Sequence, residues 1–476
     1  MEKRKGVWNW IIVGVSLILL FGADLLPLIP GLGASGQRVL GLFLGAVMLW
    51  LFVDIGWPSA LVIFALGVLP GVKTGDVLLS SFGNATVWFL IFSFLLTFAL
   101  KETGFLRRLA LLFITSRFAR KSPWAFIVMF LLSVLALGSF IAPTVTFLLF
   151  FALHREVMEA LGQKPGDPLA RALMVGTACV TSISCAMTPI AHTFPLMALG
   201  FHEAATGERI SYLSYLQIGL PVGILLFGLT LLLLYLGFRR RIGGRGPEIS
   251  KLPLSAPGKP DAREIFSAVV FLLVVAAWLL AGILPDRMAP VAALGTAWPA
   301  LLGVILLSAI PVKGKPVLDL KDGFARGLNW QSLLLCAAAL ALGKYLTLPE
   351  YGVTDWFGAL IAPPMRSWGY GGALLVIIAA TLIMTNFLSN IVTTTVMYQV
   401  AASAIPVLAL SGIAINPALS AILVGMCASL AFATPPSIAH IALAAGSGWA
   451  GSRDMLLYGG ALALFSVPVV LAFSLI

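Results

Sequence analysis

Apolar stretches of about twenty residues recur along this chain from residue 8 to residue 475. At ~1.5 Å rise per residue, about twenty residues cross the hydrocarbon core of a bilayer. We read helices near 8–29, 38–54, 57–72 and 82–100, a longer run at 124–153, and helices at 170–204 and 214–238. Beyond a polar segment come helices near 265–285, 290–309, 330–347 and 354–363, then runs at 371–410 and 415–446 and a last helix at 455–475. With 60% hydrophobic and 10% charged residues in 476, a soluble fold would have little polar surface to offer water. The expected class is an all-α polytopic membrane protein.

Four of these runs contain something that hydrocarbon does not tolerate without compensation. The run 371–410 is too long for one simple span and carries Thr385-Asn386-Phe387-Leu388-Ser389-Asn390-Ile391-Val392-Thr393-Thr394-Thr395 at its middle. Such a polar cluster is costly in lipid unless the backbone breaks and the polar groups find partners. A second break follows at Ala433-Thr434-Pro435-Pro436-Ser437. In the first half, the run 124–153 breaks at Gly138-Ser139 and at Ala142-Pro143-Thr144, and the helix 170–204 breaks near Thr188-Pro189. Pairs of discontinuous helices are how many transporters build a site near the membrane midplane.

The two halves have the same rhythm: plain spans, a hairpin-like broken run, a broken helix, a plain helix. Their third spans share wording, with Phe98-Ala99-Leu100-Lys101-Glu102-Thr103-Gly104 set against Leu340-Ala341-Leu342-Gly343-Lys344. We divide the chain into helix 1 (1–37), a first repeat (38–238, hairpin 122–155, broken helix 170–204), a cytoplasmic linker (239–263) and a second repeat (264–476, hairpin 370–410, broken helix 415–446). If each hairpin re-enters on the side it left, each repeat crosses five times. That gives 11 transmembrane helices plus two re-entrant hairpins, and an odd number of crossings inverts the second repeat relative to the first. Placing the N-terminus inside puts 24 of the 30 Lys and Arg on cytoplasmic segments, as the positive-inside rule asks, and puts the C-terminus outside. The expected location is the inner (plasma) membrane.

The net charge of +11 therefore reflects loops between spans, and nucleic acid is not an expected partner. Cys179, Cys185, Cys336 and Cys427 all lie in apolar stretches without metal-ligand spacing and read as small buried side chains. The N-terminal span is too long for a cleavable signal core and reads as retained. At the second break, Thr385, Ser389 and Asn390 offer hydroxyl and amide oxygens of the kind hard cations take, and half-helix N-termini attract anions. The alternative is that the hydroxyls bond back to their own helix, Asn390 bridges helices, and Pro435-Pro436 is a simple kink.

With these residues in view, the chain resembles the divalent-anion/sodium symporters, carriers of dicarboxylates, citrate, sulfate and related anions. Phe82-Gly83-Asn84-Ala85-Thr86-Val87-Trp88, Lys101-Glu102-Thr103-Gly104, Asn329-Trp330, Leu388-Ser389-Asn390, Thr434-Pro435-Pro436 and Gly446-Ser447-Gly448 carry the likeness, which covers nearly the whole chain. Family members bear a Ser-Asn-Thr triplet at each hairpin tip and a Thr-Pro-Pro-like turn in each broken helix, in an elevator-type homodimer with scaffold and transport domains. The resemblance implies substrate contacts at Ser389, Asn390, Ile391, Thr434, Pro435 and Pro436. Their first-repeat counterparts are Ala142, Pro143, Thr144, Thr188 and His192. It implies a sodium site at Thr385, Asn390 and the carbonyls of Leu388 and Ala433. No cofactor other than such a sodium ion is expected; the partners are a small divalent anion, membrane lipid and a second copy of the chain.

The departures from the family pattern cluster. The second triplet reads Ser389-Asn390-Ile391, losing one hydroxyl, and the first reads Ala142-Pro143-Thr144, losing both Ser and Asn. His192-Thr193-Phe194 stands where Pro-Pro would in the first broken helix. His192 reads either as a charge or proton relay beside the anion, or as a neutral ring bonded to a carbonyl freed by Pro189. His440 reads as a core histidine or a second relay, Lys344 as a snorkelling helix-end cation and Asp24 as a capped acid. The expected activity is secondary transport of small divalent anions, chiefly dicarboxylates, by anion exchange or sodium symport. The alternatives are a proton-coupled anion carrier, a sulfate or sulfonate carrier, an anion channel, and an intramembrane hydrolase using a serine with His192 or His440. The last lacks a serine in a recognisable nucleophile context.

Overall fold

The computed structural model describes residues 2–190, 192–242, 257–284 and 287–475, and is almost wholly helical. Helices α1 (Glu2–Gly22), α2 (Ala34–Phe52), α3 (Trp57–Gly67) and α4 (Thr74–Ser80) lead into α5 (Ala85–Glu102). A short surface helix α6 (Phe105–Ile114) follows, then α7 (Pro123–Gly138), α8 (Pro143–Ala160), α9 (Pro168–Met187), α10 (Thr193–Thr206) and α11 (Tyr212–Ile242). The second half runs α12 (Ala262–Ile283), α13 (Ala289–Leu294), α14 (Ala297–Ala309), a single turn α15 (Leu320–Asp322), α16 (Trp330–Thr347) and α17 (Val353–Arg366). It closes with α18 (Gly369–Phe387), α19 (Asn390–Ala409), α20 (Pro417–Ser429), α21 (Ala439–Gly446), the turn α22 (Ser452–Asp454), a π turn at Met455–Gly459 and α23 (Gly460–Ser474). Two two-residue strands, β1 (Pro311–Val312) and β2 (Lys315–Pro316), pair antiparallel across Lys313 and Gly314, both at positive φ as a tight primed turn demands.

Among the described residues, eight helices are long and apolar enough to cross a membrane, and five more apolar helices are shorter. Their outward faces are apolar, with Leu232, Leu272, Leu273, Leu456, Leu457 and Leu464 all exposed, so this is a multi-pass membrane protein. Several predicted spans are shorter or divided. The run at 57–72 shortens to the eleven-residue α3, with α4 a separate short helix beyond it, and 290–309 splits at Gly295, where φ is +80°. The basic segment 101–121 contains α6, whose Leu106, Ala110 and Ile114 are buried at helical spacing while Arg107 and Arg108 point away. The linker 239–263 narrows at both ends, because α11 continues to Ile242 and α12 begins at Ala262; its residues 243–256 lie outside the described residues.

The two halves use the same local devices. Asn84 caps α5 by accepting from Thr86 N–H, and Asn329 caps α16 by accepting from Ser332 N–H. Both broken helices start with proline in the first turn, Pro168 in α9 and Pro417 in α20, where a missing N–H costs nothing. In the core, α20 packs on α9 and closely on α10: a Cβ at Gly425 would lie 2.8 Å from Pro195 Cα, so only glycine allows that approach. All four cysteines are buried thiols. At the membrane ends, ion pairs Arg108–Glu264 and Arg171–Asp454 join one half to the other, and Asp24 pairs with Arg38. Lys313 beside Asp261 holds that carboxyl below its ordinary range.

Candidate functional site

The second hairpin is α18, Leu388-Ser389, then α19; the second broken helix is α20, the stretch 430–438, then α21. Breaking α20 frees backbone groups that cannot be left bare in a membrane interior. Asn386, in the last turn of α18, takes up most of them. Its Oδ1 accepts from Phe432 N–H at 2.8 Å and Ala433 N–H at 2.9 Å, and its Nδ2 donates to Leu430 O at 3.1 Å and to Leu382 O at 2.9 Å. Thr434 Oγ1 donates back to the Asn386 carbonyl. Thr385 Oγ1 donates to Ala428 O at 2.6 Å. The sequence reading placed Asn386 in the polar cluster without giving it a role, because the triplet likeness drew attention to 389–391.

The first hairpin is α7, residues 139–142, then α8, and it is joined to its broken helix in the same way but more sparsely. Thr188 Oγ1 donates to Ser139 O, and Ser139 Oγ lies 3.9 Å from Met187 Sδ. His192 is buried beside the carbonyls of Gly138 and Ser139, with neither ring nitrogen in a hydrogen bond of normal geometry. Ala142 and Pro143 are half-buried and Thr144 is exposed. Ala142 borders a small cavity of about 50 Å³ together with Thr97, Lys101 and Arg326, the last already paired with Glu102 and Asp322.

The two broken helices are tied to each other through Ser182 of α9. Its hydroxyl lies 2.6 Å from Ala431 O and 2.7 Å from His440 Nε2. A carbonyl can only accept, so the single Ser182 proton goes to Ala431 and His440 must donate from Nε2–H. His440 is then the neutral Nε2–H tautomer, and its buried Nδ1 has no partner among the described residues.

Asn390 opens α19 and is 2% exposed, yet among the described residues neither its Oδ1 nor its Nδ2 has a hydrogen-bond partner, and Thr393 Oγ1, one turn on, has none either. Ser389 next to it and Thr434 of the second break are half-buried, Ile391 is buried, and Pro435 and Pro436 are progressively more exposed. Each buried unpaired polar group costs about 1–3 kcal/mol. Asn390 thus presents an amide with both ends unpaired among the described residues, at the N-terminus of a twenty-residue helix. Among the described residues no cluster of three or more His, Cys, Asp or Glu could hold a metal, so any cation here is held by hydroxyl, amide and carbonyl oxygens.

Broken helices tied to hairpin tips inside an apolar helical bundle define a membrane transporter of the discontinuous-helix type. The family described as "Citrate transporter" (CitMHS) matches residues 43–425, and the chain belongs to that family. The sodium-dependent dicarboxylate transporter SdcS of Staphylococcus saprophyticus is 26% identical over 456 residues, covering 90% of this chain and 85% of that one. Its Staphylococcus aureus counterpart is 24% identical over 460 residues, with the same coverage. Among solved structures, the crystal structure of the Alcanivorax borkumensis YdaH transporter superposes with a TM-score of 0.55 at 12% identity, over 93% of this chain and 98% of that one, a likeness of fold. These matches agree with the resemblance to the divalent-anion/sodium symporters, and the family is one of transporters, not enzymes.

Proposed function

We propose that this chain is a secondary active transporter of small divalent anions, dicarboxylates foremost, working by anion exchange or sodium-coupled symport through an elevator motion. The observation that carries the reading is Asn390, buried with both amide ends unpaired at a hairpin tip. In this reading the substrate lies against Ser389, Asn390 and Ile391 on one side and Thr434, Pro435 and Pro436 on the other. Ala142, Pro143, Thr144, Thr188 and His192 close the first-repeat side. A sodium ion, where bound, takes Asn390 Oδ1, the Thr385 oxygen and the carbonyls of Leu388 and Ala433. Thr385 donates its proton elsewhere, which leaves its oxygen lone pairs as acceptors toward a cation. The hairpins are re-entrant, the repeats inverted, the N-terminus cytoplasmic and the C-terminus outside in the plasma membrane, and the carrier is a homodimer. Anionic substrate is supported by the N-termini of α8, α10, α19 and α21 at the breaks and by Lys101 near the first turn.

Coupling to protons is a second reading, favoured by His192, whose two ring nitrogens are buried and unpaired. The deciding experiment is uptake of labelled succinate into proteoliposomes, with and without a sodium gradient and with and without unlabelled anion inside. Uptake that follows internal anion alone makes the protein an exchanger; uptake that needs sodium makes it a symporter. Asn390→Ala should abolish either while the protein remains monodisperse, and normal uptake by that variant would refute the site.

A further inference from the structure

On the outer face of the second hairpin, α18 and α23 do not close on each other along their length. Between them runs an apolar groove of about 670 Å³, walled by Ile383 and Phe387 on one side and by Leu457 and Leu464 on the other. Its depth comes from small residues, Gly460, Ala461 and Ala463, where a larger side chain would have filled it. Two features separate it from ordinary lipid-facing surface. Its floor reaches Asn386 and Ala433, themselves buried, so the polar break in the second broken helix lies directly beneath the groove. One end of the groove is Arg453, which is exposed and forms no ion pair among the described residues, whereas neighbouring Asp454 is taken by Arg171.

We propose that this groove is a binding site for one anionic phospholipid, with an acyl chain along α23 and the headgroup phosphate on Arg453. The dimensions agree. From Arg453 to Val467 the chain is helical, and fourteen residues at ~1.5 Å each span about 20 Å, close to one leaflet with its headgroup region, half of a bilayer ~40–45 Å thick. The charge agrees as well. Arg239, Arg240 and Arg241 close α11 at the same end of the bundle, where Phe238 stacks on Tyr458 with ring centroids 5.2 Å apart. A guanidinium at a membrane interface favours an anionic headgroup over a zwitterionic one. The lipid acts as an apolar seal behind the Asn386–Ala433 contact, keeping the site open only toward the substrate side. This last role rests on the carrier reading above; the binding itself does not.

The test is retention of lipid by the full-length protein, counted by native mass spectrometry after exchange into detergent with phosphatidylglycerol or phosphatidylcholine of identical chains. The wild type should hold one phosphatidylglycerol in preference to phosphatidylcholine. Arg453→Gln should weaken that preference about fivefold, the factor equivalent to the ~1 kcal/mol of one cation at an anionic surface. Ala461→Phe, which fills the groove from a lipid-facing position, should remove the bound lipid while leaving the protein monodisperse. Equal retention of the two lipids, or unchanged retention in either variant, would overturn the proposal. So would loss of a dimer on Ala461→Phe with no change in lipid, which would give the groove to a second copy of the chain. None of these readouts depends on transport, so a failure here and a failure of the carrier reading are told apart.

Discussion

Asn386 spends both ends of its carboxamide on the second break, and its carbonyl accepts from Thr434 as well. Asn386→Ala leaves two buried N–H groups and one carbonyl without partners, at about 1–3 kcal/mol each, so a loss of several kcal/mol is expected. A drop in the thermal unfolding midpoint well beyond that of Asn390→Ala would confirm it. The contrast separates the two asparagines: Asn386 holds the protein to itself, and Asn390 is left for something else. Ser182→Ala should cost about 1–3 kcal/mol, because it strips Ala431 O and His440 Nε2–H of their partner together. Ser182→Thr, which keeps the hydroxyl, should recover part of the loss in the same thermal assay. His192→Ala, if the buried ring takes part in proton movement, flattens the pH dependence of uptake; an unaltered profile assigns it to packing.

At the scale of elements, a larger side chain at Gly425 pushes α20 off Pro195 of α10. Gly425→Leu should cost at least the 1–3 kcal/mol typical of overpacking and reduce uptake, measured against a wild-type control reconstituted in parallel. The breaks were legible in the sequence because Thr, Asn and consecutive prolines inside apolar runs have few physical explanations in hydrocarbon. The partners of the broken backbone were not. Nothing local to Asn386 says that residues 428–434 will lie beside it, since that contact depends on how two distant helices pack. Helix α6 was hidden for another reason: Arg107, Arg108, Arg117 and Arg120 dominate the segment, and the apolar spacing of Leu106, Ala110 and Ile114 lies beneath them. Gly295 likewise breaks a continuous apolar run through its left-handed backbone, which composition does not report.

For the whole molecule, an elevator requires α10 to slide along α5. A Cβ at Gly200 would lie 3.3 Å from Thr86 Cβ, a few tenths of an ångström short of the ~3.5–4.5 Å usual for a disulfide, a gap that a small shift of either helix closes. The double variant Thr86→Cys with Gly200→Cys should therefore cross-link on oxidation, and the four native cysteines are buried free thiols. Transport should stop on oxidation and return on reduction; unimpeded transport by the cross-linked protein would refute sliding at this seam. The first hairpin turn, Ala142-Pro143-Thr144, has a consequence in electrical work. A dianion accompanied by two or more sodium ions crosses neutral or positive, and an inside-negative potential does not oppose its entry. If this turn leaves the carrier a single sodium site, as proposed above, the loaded carrier would bear a net charge of −1. Each 100 mV then opposes entry by about 2.3 kcal/mol. Swapping one dianion for another moves no net charge at all, so a polarised cell would run such a protein as an exchanger or an exporter.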